Sequence, residues 1–122
     1  MATQNDVFSY IQKNYRHEVT GAMTLKIEVP TDGLRSQMVY AAVTEHELQV
    51  TSPFAWQSRV SAEKVFETID SMFGVVAING AWALKHNVFI ADIDESEIAK
   101  AFAVLAVHSD DLEKSLGLKD EF

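Results

Sequence analysis

The sequence holds no cysteine, only two prolines and only five glycines in 122 residues. Without thiols neither a disulfide nor a thiolate metal site is available. The glycines, Gly21, Gly33, Gly74, Gly80 and Gly117, are too dispersed for a G-x-G-x-x-G or Walker loop, which excludes nucleotide binding through those motifs. No apolar run approaches the roughly 20 residues a helix needs to cross a bilayer. The opening Met1-Ala2-Thr3-Gln4-Asn5-Asp6 has no basic region and no apolar stretch after it, so no signal peptide is expected. Asn5, Asn14, Asn79 and Asn87 all lack the Ser or Thr two positions on that glycosylation requires. A cytoplasmic location is the expectation.

Positive charge is also scarce. Ten basic side chains face 18 acidic ones, for a formal net charge of -8. A nucleic-acid binder needs a basic stripe to displace counterions from phosphates. The only basic cluster here is Lys13, Arg16 and His17, placed where a first helix is expected to end and where cations complement its dipole. Neither nucleic acid nor an anionic membrane is therefore an expected partner. Half of the acids lie late in the chain, at Asp92, Asp94, Glu95, Glu97, Asp110, Asp111, Glu113, Asp120 and Glu121, and read as a solvated helix face in preference to a docking surface.

What is present is core material: 48% of the residues are hydrophobic, and the length suits one domain. Val7, Phe8, Ile11 and Tyr15 recur at helical spacing and predict a helix from about Thr3 to His17, capped by Thr3 or Asn5. Met23, Leu25, Ile27 and Val29 alternate strictly, as a half-buried strand does. After the turn Pro30-Thr31-Asp32-Gly33, a second strand runs from Arg35 to Val43, with apolar residues on both faces around Met38-Val39-Tyr40. Leu48 to Ser52 is a third, expected to stop at Pro53 or to lie at an edge, since proline cannot donate to a ladder. Ser61 caps a second helix with the stripe Val65, Phe66, Ile69, Met72 and Phe73, ending at Gly74. Val75–Ile78 and Ala81–Ala91 form a hairpin about Asn79-Gly80, two residues suited to the positive φ of a type I′ turn. Asp94, with Glu97 three residues on, opens a long final helix bearing Ile98, Phe102, Leu105, Leu112 and Leu116, and Gly117 closes it. The order α-β-β-β-α-β-β-α describes a single α+β domain of 1–122, an antiparallel sheet of five strands with helices packed on it.

That order, with the hairpin around Asn79-Gly80, the strand Ala81–Ala91, the acid-capped stretch Asp94-Glu-Ser-Glu-Ile-Ala-Lys-Ala-Phe102, then Ala106-Val-His-Ser-Asp-Asp-Leu-Glu113 and Leu116-Gly117, resembles the YbjN-like proteins, bacterial sensory transduction regulators by label. Their fold is similar to that of the class I chaperones of type III secretion. The resemblance implies an acidic cytoplasmic homodimer, built around its middle helix, that binds an extended segment of another protein. It places Val65, Ile69 and Met72 near a dimer seam. It brings no catalytic residues with it.

The residues themselves offer little chemistry. His17, His46, His86 and His108 form no H-x-x-x-H or H-E-x-x-H pattern, and Glu45-His46-Glu47 reads as a solvated turn. His108-Ser109-Asp110 are neighbours on one helix, whereas a serine triad converges from separate elements. Asp92-x-Asp94-x-Ser96 begins like a calcium loop, yet the sixth and twelfth positions are Glu97 and Ala103 where Gly and Glu are required. No catalytic, metal or cofactor residues are assigned on this basis. The placement of aromatics points elsewhere: Phe54 and Trp56 follow Pro53 in an expected connection, and Trp82 follows the Asn-Gly turn. Large aromatics outside regular core positions are enriched at interfaces. The sequence thus points to a protein- or peptide-binding module, chaperone-like or an adaptor, with Phe54, Trp56 and Trp82 as partner contacts; the other readings of these aromatics are core residues tucked under the second helix, or dimer contacts. The alternative is a small enzyme or ligand binder with a pocket between sheet and helices, using His86 or His46 with a carboxylate.

Overall fold

A computed structural model describes residues 3–31, 33–69, 73–91, 93–118 and 122. The elements run α1 (Gln4–Asn14), β1 (His17–Gly21), β2 (Thr24–Pro30), β3 (Ser36–Val43), β4 (Glu47–Trp56), α2 (Ala62–Thr68), β5 (Gly74–Ile78), β6 (Ala81–Phe89) and α3 (Glu95–Ser115). The strands form one antiparallel sheet of six, in the order β1-β2-β3-β4-β6-β5. This is the expected α+β domain with one strand more than the sequence pattern provides.

The extra strand is β1. The first helix stops at Asn14, three residues short of the expected end, because Tyr15 turns extended and sets its ring edge-on against Phe102, centroids 5.0 Å apart. Arg16 and His17 thereby leave the helix, and residues 17–21 pair with β2. All five residues of β1 are exposed, so no hydrophobic alternation announced them. Lys13 alone of the basic cluster stays in the last helical turn.

Pro53 does not end its strand either. Register pairs Tyr40 with Thr51 and Ala42 with Gln49, so alternate residues of β4 aim their backbone groups at β3, and Pro53 belongs to that set. The N–H it lacks is one that would face β3. On its other side β4 continues beside β6, through a bulge between Pro53 and Ala55, as far as Trp56 paired with Ala81. Phe54 and Trp56 are therefore strand residues and not part of a connection.

α3 lies across β2, β3, β4 and β6. Its Ile98, Phe102, Leu105 and Leu112 meet Leu25, Ile27, Val39, Val50 and Leu84 in the core, joined by Val7 and Ile11 of α1. Asp94 caps it as expected, its side chain accepting from the Glu97 N–H at 2.8 Å. α2 is shorter than its apolar stripe implied: Val65 is buried, while Phe66 is 63% exposed. Among the described residues no helix is long and apolar enough to cross a membrane.

Candidate open-face groove

Alternation along the strands puts Leu25, Val39, Val50 and Leu84 under the helices and Tyr40, Ala42, Thr51, Ala83 and Lys85 on the opposite face. On that second face the sheet forms a shallow groove of about 390 Å³, walled by Tyr40, Pro53, Trp56, Ile78 and Phe122 over a floor of Ala42, Ala81 and Ala83. Among the described residues its lining is apolar except for threonines, Gln49, Asn79 and one charged residue, Lys85. Tyr40, Trp56 and Ile78 remain 37%, 40% and 39% exposed, so three large apolar side chains stand open within one depression. The small residues of the floor make it concave.

Pro53 also shapes the groove at its head. The β3–β4 ladder closes at Tyr40 and Thr51, although β3 continues beside β2 to Ser36. Met38 is the β3 residue that would next bond to β4, opposite Pro53, and its groups are satisfied by other means. The Ser52 hydroxyl donates to the Met38 carbonyl at 2.8 Å. The Met38 N–H donates to the backbone carbonyl of Phe122 at 2.8 Å. The Phe122 ring leans on Trp56, centroids 5.1 Å apart and planes at 50°. The last residue of the sequence thus sits over the broken ladder and walls one side of the groove. A second depression on the other side of Phe122 is polar, lined by Arg16, His17, Glu18, Lys26 and Glu28.

A buried polar cluster holds the same break from the helix side. The Gln37 side-chain amide donates to the Pro53 carbonyl at 2.7 Å, and the Ser109 hydroxyl lies 3.1 Å from the same oxygen. The next residue, Asp110, is only 2% exposed. Nε and Nη2 of Arg35 both donate to its Oδ1, at 2.8 and 2.6 Å, and Thr31 donates to its Oδ2 at 3.2 Å. Lys114 is 3.4 Å from Oδ2. Burial pushes the Asp110 carboxyl up, but the Arg35 hydrogen bonds and the charges of Arg35 and Lys114 outweigh it and hold the group below its ordinary value. Asp110 and Glu113, read from sequence as solvated acids, are buried.

The residues singled out from sequence fall in different places. Phe54 is fully buried in the core. Trp56 walls the groove. Trp82 faces the helix side, half-buried, its indole N–H donating to the Val60 carbonyl at 2.8 Å. Val65 is fully buried within the single chain, Ile69 is half-buried against the core, and Met72 lies outside the described residues. Tyr40, Pro53 and Phe122 carry no site role in the sequence reading; their one sign there is the run Met38-Val39-Tyr40, apolar on both faces of a strand that the helices cover on one side.

The histidines do not converge on acids. His86 and His108 both pack edge-on against Phe73, centroids 5.2 and 5.3 Å away, and His17 and His46 are exposed. Among the described residues none of the four ion-pairs or hydrogen-bonds with a carboxylate, and no group of three metal-ligating side chains is present. Asp94, the described acid of the calcium-like run, spends its carboxylate on the helix cap and on the Ser96 hydroxyl at 2.7 Å, bonds that hold it below its ordinary value, Ser96 contributing most. Asp92 lies outside the described residues. No family model, curated protein or solved structure matches the chain.

Proposed function

We propose that the protein is a non-catalytic protein- or peptide-binding module, a chaperone-like or regulatory adaptor that works as a homodimer in the cytoplasm and takes an extended segment of its partner on the open face of the sheet. The resemblance to YbjN-like proteins and to the class I secretion chaperones is the expectation behind this reading. The observation that carries it is the groove: Tyr40, Trp56 and Ile78 stand exposed beside an alanine floor on a sheet face that no helix among the described residues covers. Apolar side chains gathered in one depression cost solubility unless something uses them, and an extended segment fits a surface of strand dimensions. The outward-facing Phe66 of α2 supplies apolar surface for self-association in the region where the resemblance places the dimer seam.

Selection of a random peptide display library on the purified chain tests the binding reading. Peptides with spaced apolar residues are expected to be enriched, and Ala42→Arg, which fills the groove floor with a charged side chain, is expected to abolish their binding while leaving the fold intact. Failure to enrich any sequence, or binding that ignores Ala42→Arg, overturns it. Light scattering on the eluting peak of a size-exclusion column checks the assembly, with a mass twice that of the chain expected and a monomer opposing it.

A further inference from the structure

We infer that the groove recognises an extended segment through a single aromatic anchor, seated on Trp56 with the anchor's backbone carbonyl on the Met38 N–H, and that the chain's own Phe122 occupies this seat until a partner segment displaces it. The inference rests on the peptide-binding reading of the open face and says what the segment must carry.

Three observations converge on the seat. First, Pro53 breaks the β3–β4 ladder, so the Met38 N–H is a main-chain donor that β4 leaves unmet. Such a donor takes any carbonyl that reaches it, and here it takes that of Phe122 at 2.8 Å. Secondly, the same residue places its ring 5.1 Å from that of Trp56, a tilted contact of the kind aromatic pairs favour. A backbone carbonyl and a ring from one residue are the grammar by which an added extended segment is read: the main chain supplies affinity and the side chain supplies specificity. Thirdly, Phe122 is half-buried and borders the groove without filling it, so the alanine floor beyond it is left for the residues that flank an anchor. Among the described residues Lys85 is the one charged group of that lining.

An occupant covalently joined to the site competes at an effective concentration instead of a bulk one. A partner segment must then bind better than Phe122, and removal of the Phe122 ring raises the groove's affinity for a segment supplied from outside.

The probe is a fluorescein-labelled peptide with the sequence of residues 117–122, Gly-Leu-Lys-Asp-Glu-Phe, followed by anisotropy against the full chain. The Phe122→Ala chain is expected to bind it at least roughly tenfold more tightly than the unsubstituted chain, the scale of one aromatic contact with its burial. The same peptide with alanine in place of its phenylalanine is expected to bind neither chain, and Trp56→Phe, a mild change, to weaken binding to the Phe122→Ala chain. Equal affinity of the peptide for both chains, or affinity for neither while display-selected peptides still bind in an Ala42-dependent way, overturns the anchor seat and leaves the open-face reading standing. Loss of the display-selected peptides as well takes both down.

Discussion

At the scale of single residues, Asp110 shows how far an acid's role departs from its address in the sequence. It sits on α3 among acids that a charge count assigns to solvent, yet Arg35, brought from the turn before β3, clamps it from inside. Removing one partner of a buried pair typically costs 3–5 kcal/mol; with the Arg35 side chain 28% exposed, Asp110→Asn is expected to cost about 2–3 kcal/mol at neutral pH. The sign of the pH dependence follows from the lowered carboxyl. Its contribution is fully present above the ordinary value of 3.8 and is lost as pH falls through the lower folded value. Urea midpoints at pH 7, 5 and 3 check this: the gap between the two chains should hold from pH 7 to 5 and narrow below about pH 4. A gap indifferent to pH would show that Asp110 acts by shape and not by charge.

At the scale of elements, the join between β3 and β4 is held by side chains where backbone bonds run out. Gln37 is fully buried and its amide bonds the Pro53 carbonyl, while its own Oε1 has no partner among the described residues. Gln37→Ala loses the bond and opens a cavity, with an expected cost of about 2–3 kcal/mol. Gln37→Leu refills the space and also removes the orphaned oxygen, so it should come within about 1 kcal/mol of the unsubstituted chain. Thermal unfolding of both variants decides it, and a leucine as harmful as the alanine would assign the whole effect to the hydrogen bond. The elements were legible wherever one local rule governed them: the alternation of β2, the Asp94 cap, and the hairpin at Asn79 and Gly80, whose φ angles of 52° and 82° suit those two residues. They were not legible where a partner distant in sequence decided. β1 carries no buried residue and exists by pairing with β2. β4 survives Pro53 because the missing donor faces the side already released. The burial of Asp110 depends on Arg35, 75 residues earlier. The groove was legible in Trp56 and hidden in Phe122, since a lone aromatic at the end of a sequence carries no periodicity.

At the scale of the whole molecule, the sheet divides its side chains between two tasks, and Phe54 and Trp56 stand on either side of that division. They are two positions apart, yet the bulge between Pro53 and Ala55 changes the register, so that Phe54 is fully buried and Trp56 is 40% exposed. Phe54→Ala should therefore cost about 3–5 kcal/mol, the usual range for a core phenylalanine. Trp56→Ala should cost less, about 1–2 kcal/mol, since its side chain is 40% exposed and gives up a partly solvated contact with Phe122. Peptide capture should follow the opposite order. At a temperature where both variants remain folded, the Phe54→Ala chain should retain the affinity of the unsubstituted chain for display-selected peptides, and the Trp56→Ala chain should lose most of it. Chemical denaturation alongside anisotropy separates the two quantities. If both substitutions lowered stability and binding in proportion, the open face would be part of the core's cooperative unit and not a surface reserved for a partner.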